Sequence, residues 1–256
     1  MNATVLLEIK ESIGVITLNR PKLLNALNFQ MLTELRRTAT DIVGKDNVKT
    51  VILTGAGDKA FSSGADIHEL ANMNSSEATR FAELGRSALE TFETLPLPVI
   101  AAVNGFAVGG GLELMSVCDL VVASNHSKFG IPGVALGVVT GWGGTQRIPQ
   151  LVGPVRAKGL LLTGKLIGAN EAKSWGLINQ VVPSGQALHA ARKLASRIME
   201  NSETALKLTK KAINIGLNKK RSKALKFELD AFADCFSTRD QKERMQAFAS
   251  RQVKKS

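Results

Sequence analysis

Asn104-Gly105-Phe106-Ala107-Val108-Gly109-Gly110-Gly111-Leu112-Glu113-Leu114 is the stretch on which the reading of this chain turns. The segment before it, Pro96 to Val103, is apolar and predicts a buried strand. The segment after it, Leu114 to Leu120, carries apolar residues at helical spacing. A strand that breaks into three glycines and then a helix exposes backbone N–H groups with no side chains over them. The positive end of the helix adds to their pull on a negative atom. Glu113 falls on the first turn of that helix, within reach of the same spot. A bare N–H donor beside a carboxylate suits chemistry at a carbonyl that becomes an oxyanion.

A second loop parallels the first. Val51-Ile52-Leu53-Thr54-Gly55 reads as a strand ending in glycine, and Phe61-Ser62-Ser63-Gly64-Ala65-Asp66-Ile67 leads into another helix. The N–H of Ala65 is then a second free donor near a strand end. Two donors from two loops are what an oxyanion hole requires, since one alone holds the charge with poor direction. Either loop by itself would also serve as a tight strand-to-helix turn.

Around these loops the chain alternates short β-branched segments with helical ones. Gly14 to Leu18, Thr50 to Thr54, Val99 to Val103 and Leu120 to Ala123 read as strands; Phe29 to Val43, Ser76 to Leu95 and Gly111 to Ser116 read as helices. That alternation predicts an α/β architecture with crossover connections. After Pro183 the strand signals stop, and Leu188 to Glu200, Glu203 to Leu217 and Ser222 to Phe236 keep helical periodicity. A boundary is therefore expected near residue 190, between a core over 1–190 and a helical segment over 191–256.

The 256 residues are enough for a full hydrophobic core. No apolar stretch approaches the roughly 20 residues that span a bilayer, and no basic n-region precedes an apolar run at the start. Cys118 and Cys235 are too few and too isolated for a disulfide framework or a metal knuckle, so no metal is expected and a cytoplasmic, reducing setting fits. The net charge of +11 is uneven: residues 192–256 hold 17 Lys and Arg against 7 Asp and Glu, a net of +10. A solvated helical face explains this, with an acidic small molecule such as a nucleotide phosphate as the next reading. Nucleic acid is disfavoured, because the chain has no Tyr and no aromatic run among its basic residues.

Five separated segments carry a resemblance to a known family. They are Asn19-Arg20-Pro21-Lys22 with Asn25-Ala26-Leu27, Phe61 to Ile67, Asn104 to Asp119, Gly137 to Arg147 with Leu162-Thr163-Gly164 through Leu177, and the tail from Phe236 to Phe248. In this order they resemble the crotonase, or enoyl-CoA hydratase/isomerase, superfamily along nearly the whole chain. The resemblance implies a ββα spiral core with a C-terminal helical segment used in trimerisation, and a homotrimer or homohexamer as the assembly. It implies an acyl-coenzyme A thioester as substrate, with no permanently bound cofactor. The thioester oxygen would lie between the N–H groups of Ala65 and Gly110. Lys22, Ala26, Leu27, Ser63, Ala65, Asp66 and Ile67 match segments that line the coenzyme. Phe248 and Arg251 match an aromatic and a basic residue that a subunit contributes near the adenine and phosphates.

By the same resemblance Glu113 is the glutamate that holds and activates the water added to the β-carbon. The second glutamate of the hydratases falls on Gly133, in Gly130-Ile131-Pro132-Gly133-Val134. Its absence removes the expected proton relay to the α-carbon, and it opens space for a bulkier acyl group or a water. Hydration of a 2-enoyl-CoA through a single glutamate is the reading that follows. Decarboxylation or isomerisation of an acyl-CoA, and an acyl-CoA-binding homologue with weak turnover, stand as alternatives. Asp119 is expected deeper in the Glu113 helix, Glu69 and Glu83 on the opposite wall, and His68 at the surface.

Overall fold

The computed structural model describes residues 3–253, and of 251–253 the backbone alone. Among the described residues ten strands run in chain order: β1 Val5–Lys10, β2 Ile13–Leu18, β3 Thr50–Gly55, β4 Ala60–Ser62, β5 Val99–Val103, β6 Phe106–Val108, β7 Leu120–Ser124, β8 Lys128–Gly130, β9 Ile167–Gly168 and β10 Gln180–Val182. They form a six-stranded sheet, ordered β1-β2-β3-β5-β7-β10, and a four-stranded sheet, ordered β4-β6-β8-β9. The helices are α1 Phe29–Val43, α2 Ile67–Leu70, α3 Ser75–Glu93, α4 Gly110–Ser116, α5 Gly144–Val152, α6 Pro154–Thr163, α7 Ala169–Ser174, α8 Ala187–Met199, α9 Glu203–Asn218, α10 Arg221–Phe236 and α11 Arg239–Val253.

The two sheets grow by repetition. β3 enters the large sheet, β4 the small one, and helices follow; β5, β6 and α4 repeat the step, and β7, β8 and α5 repeat it again. Within each sheet these successive strands are parallel. This is the ββα spiral. Its central strands β3 and β5 are buried at every residue, which is why they read as unbroken apolar runs rather than alternating ones. One face of the large sheet packs on α1 and α3 through Leu35, Ile42, Leu53, Leu89 and Phe92.

α8 covers the other face. Ala187, Ala191 and Ala195, spaced by four, lie against Ile13, Ile52, Ile100 and Val122, their small side chains letting the helix sit close to the sheet. This helix spans residue 190 and completes the core's second layer. The helices beyond it bury little of their own: α9 has no buried residue and α10 has only Ala231. α9 is pinned to the core by polar groups. Lys210 Nζ donates to Asp119 Oδ2 at 2.7 Å and to Leu97 O at 2.9 Å, and Asn214 Nδ2 donates to Glu93 O at 2.9 Å. Asp119 is not inside the Glu113 helix as expected: α4 ends at Ser116, and Asp119 stands in the loop before β7, where Val99 N–H also donates to it.

Candidate active site

Three loops meet at the C-terminal ends of β3 and β5, and buried polar side chains stitch them together. Asn25, fully buried with φ of 55°, donates to Ala60 O at 2.8 Å and accepts from Arg20 N at 3.0 Å. Ser62 Oγ donates to Asn25 O at 2.9 Å and accepts from Gly64 N at 3.1 Å. Asn104 Nδ2 donates to Gly55 O at 3.0 Å. Leu27 N–H donates to Gly64 O and Asp66 N–H to Leu27 O, at 2.8 and 2.9 Å. These bonds saturate the backbone on either side of Ala65.

The loops approach so closely that only glycine fits. A Cβ built on Gly64, where φ is 96°, would meet Val108 O at 2.7 Å and Gly110 N at 3.0 Å, and one on Gly111 would meet Ser62 O at 2.3 Å. Gly110 opens α4, so its N–H belongs to the helix's unpaired first turn. Neither it nor the N–H of Ala65 donates to a protein acceptor among the described residues. Two donors, one on each glycine loop, are thus left without a protein acceptor among the described residues.

Glu113 lies on α4 beside them and is only 3% exposed. Its Oε1 accepts from Trp142 N at 2.9 Å and Gly144 N at 2.8 Å, both buried bonds. Those donors come from Gly141-Trp142-Gly143-Gly144, a glycine run opening α5 just as Gly109–Gly111 opens α4. Its hold on Glu113 is a role that the family likeness alone does not assign. The signal was the same one: glycines before a helix expose N–H groups. Burial pushes the Glu113 pKa above the ordinary carboxylate range; the Thr140 hydroxyl, the two N–H groups and the Arg147 charge oppose this without cancelling it. Arg147 is itself fixed, donating to Trp142 O at 2.8 Å and to Glu93 Oε2 at 2.6 Å.

Trp142 also uses its side chain. A Cβ on Gly110 would come within 2.1 Å of its ring, and one on Gly85 within 2.2 Å, so the indole lies flush against both α4 and α3. Phe81 packs on it at 5.6 Å between ring centroids. An apolar cavity of about 260 Å³ is bordered by Ile131, Gly133, Val138, Thr140, Leu161 and Leu162, with Thr140 the residue that links it to Glu113. Gly133 sits in a 3-10 turn, Pro132–Leu136, and a Cβ there would meet Val138 O at 3.0 Å.

The residues matched to the coenzyme divide. Lys22 and Ile67 are exposed, and Ser63 is half-buried, all on the stitched loops beside Ala65. Ala26 and Leu27 are buried beneath them. The Asp66 carboxylate is engaged internally: it pairs with Arg20 at 2.8 Å and accepts from His68 N at 3.1 Å, capping α2. Phe248 is exposed on α11. The start of that helix lies in a cleft with Lys49 and Pro98, at the opposite ends of β3 and β5 from Ala65. The Arg251 side chain lies outside the described residues. His68 and Glu83 are exposed, and Glu69 accepts from Phe29 N at 3.1 Å.

The sequence profile of the family described as enoyl-CoA hydratase/isomerase matches residues 8–255. The short-chain-enoyl-CoA hydratase of Clostridium acetobutylicum is 47% identical, covering 95% of this chain and 94% of its own length. The crotonyl-CoA hydratase of Syntrophomonas wolfei is 45% identical over the same shares. Among solved structures, an enoyl-CoA hydratase from Bacillus anthracis superposes with a TM-score of 0.93 at 38% identity, covering 97% of this chain and 96% of its own.

Proposed function

The chain belongs to the enoyl-CoA hydratase/isomerase family, and on that premise we propose that it reversibly hydrates a short-chain 2-enoyl-CoA thioester. The observation that carries the reading is the pair of free N–H groups, Ala65 and Gly110, beside a buried carboxylate whose Oε1 is held by two further N–H groups. The thioester oxygen sits between the first pair. Glu113, as carboxylate, takes a proton from water while the water oxygen bonds the β-carbon, and the π electrons move onto the thioester oxygen. The two N–H groups stabilise that enolate more than the starting carbonyl, which lowers the barrier. The enolate then collapses, and the α-carbon takes the proton back from Glu113. One carboxyl thus serves as base and then as acid, returning to its starting state.

The coenzyme's nucleotide lies along the stitched loops, with Lys22 supplying charge and Ala26, Leu27, Ser63 and Ile67 supplying shape. Asp66 contributes through its backbone, since Arg20 occupies its carboxylate. Phe248 and Arg251 reach this region from another subunit, in a homotrimer or homohexamer. That assembly accounts for the apolar residues Ile213, Leu225, Leu229, Phe232 and Phe236, exposed on α9 and α10 of a single chain. No described helix is long and apolar enough to cross a membrane. The free thiols of Cys118 and Cys235 suit a cytoplasmic setting. The deciding experiment follows the loss of the conjugated thioester absorbance of crotonyl-CoA. Carbon dioxide release from a malonyl-type thioester, without hydration, would displace the reading in favour of decarboxylation.

A further inference from the structure

A water poised for addition needs more than one partner, because ordered waters are held by two to four polar groups. Glu113 spends Oε1 on Trp142 and Gly144, and among the described residues no carboxyl lines the cavity that Gly133 and Thr140 border. Of the polar residues bordering that cavity, Thr145 and Lys158 are exposed. Thr140 differs. Its hydroxyl oxygen is buried and has no hydrogen-bond partner, an arrangement that costs stability unless something else fills the place.

The position of that hydroxyl is specific. A Cβ built on Gly144 would meet Thr140 Oγ1 at 3.0 Å and Glu113 Oε1 at 3.1 Å, so the two groups close over the same bare glycine. The hydroxyl lowers the carboxyl's pKa as a hydrogen-bonding neighbour, although its geometry to the carboxylate falls short of an ordinary hydrogen bond. Thr140 also borders the cavity that Gly133 leaves open. The residue is half-buried, and among the described residues bordering the cavity it is the polar one that also stands at the carboxyl.

We propose that Thr140 is a catalytic residue whose hydroxyl, together with the Glu113 carboxylate, holds the water that adds to the β-carbon. The hydroxyl accepts from or donates to that water and keeps its own proton through the reaction. No bond to Thr140 forms or breaks, and the proton balance remains that of Glu113 alone. The inference rests on the hydration reading and adds the second water-holding group that the reading leaves unnamed.

The test uses the full chain with crotonyl-CoA and compares wild type, Glu113→Gln, Thr140→Val and Thr140→Ser. Valine keeps the shape and removes the hydroxyl. We expect kcat of Thr140→Val to fall about 10- to 100-fold, the worth of one hydrogen bond in a charged site, with KM and the affinity for butanoyl-CoA little changed. Thr140→Ser should recover to within about threefold of wild type, since it restores the same bond. Loss of turnover in Glu113→Gln with an unimpaired Thr140→Val overturns the role of Thr140 and leaves hydration standing. A serine variant as slow as the valine one overturns it as well, because the hydroxyl would then not be what matters. A wild-type chain that turns over no enoyl-CoA overturns both readings together.

Discussion

The oxyanion loops and the turn from Pro132 to Trp142 border the same carboxylate, yet they are built by opposite rules. The first region works through backbone. Gly64, Gly110 and Gly111 sit where any Cβ would strike a neighbour at 3.0 Å or less, and Asn25, Ser62 and Asn104 lock the loops from beneath. The second reaches Glu113 through the Trp142 N–H and is otherwise an exposed turn, with Leu136, Val138 and Val139 solvent-exposed. A backbone donor can be placed only by residues that keep clear of it, so the first region tolerates few sequences. The second can change its side chains and retain its path. On the proposed reading, catalytic power resides in the constrained region and acyl fit in the free one.

Replacing the group between them should have the largest effect. Glu113→Gln keeps the size and removes the base, and turnover of crotonyl-CoA should fall about 10²- to 10⁴-fold. The same change should leave thermal stability equal or higher at neutral pH. The sign follows from the raised pKa: the folded chain binds the Glu113 proton more tightly than the unfolded one. Ionising Glu113 therefore costs stability above its folded pKa and nothing well below 4.5, the ordinary value. For activity, the carboxylate is the working form, so kcat should fall as pH drops, with its inflection above 4.5. An acidic limb at or below that value would contradict the burial of this group.

Gly110→Ala comes next and strikes the constrained region directly. The new methyl would stand 2.1 Å from the Trp142 ring, so either the indole or the α4 N-terminus must move. Moving the first shifts the peptide that holds Glu113, and moving the second shifts the donor N–H. We expect a loss of about 10²- to 10³-fold in kcat, the range seen when one oxyanion donor is removed. A variant within a fewfold of wild type would mean that this glycine is not where the enolate is held.

The same contrast explains what could be read from the chain before its fold was known. Strands β3 and β5, helices α1 and α4 and both glycine loops were legible because apolar runs, helical spacing and glycines have direct backbone meanings. β4, β6, β8, β9 and β10 were not read: each is only two or three residues long, and what makes them strands is pairing with segments remote in sequence. Asp119 looked like a helical residue because its neighbours keep helical spacing. The pull of Val99 N–H and Lys210, the latter 91 residues away, places it in a loop instead. Thr140 carried no signal at all, since a threonine in a turn is ordinary until its burial beside a carboxylate is seen.

Asp119 offers a smaller test, outside both regions. Asp119→Ala removes the counter-charge of Lys210, which keeps its bond to Leu97 O, and leaves the Val99 N–H unpaired, at a cost of about 1 to 3 kcal/mol in stability. Asp119→Asn should keep one acceptor, lose less stability and retain turnover, which separates this anchoring carboxylate from the catalytic one. Denaturant unfolding alongside the crotonyl-CoA assay distinguishes them. Turnover lost in the asparagine variant at intact stability would place Asp119 in the chemistry.

Gly133 should be the mildest site, and it sharpens the comparison most because it too is a glycine near Glu113. Its backbone is not in the left-handed region, and a Cβ there meets Val138 O at 3.0 Å, on a residue that is itself half exposed. The turn can give by a few tenths of an ångström, so Gly133→Ala should alter kcat by no more than about twofold, within the range of tolerated surface changes. Gly133→Glu goes further and directs a carboxyl toward the cavity beside Thr140. With Thr140 already holding the water, the added acid should raise hydration only severalfold, and its benefit should grow in the Thr140→Val background. A gain of about 100-fold in the otherwise unchanged chain, the scale of a full general acid, would mean the open position at Gly133 limits the rate and Thr140 does not fill it.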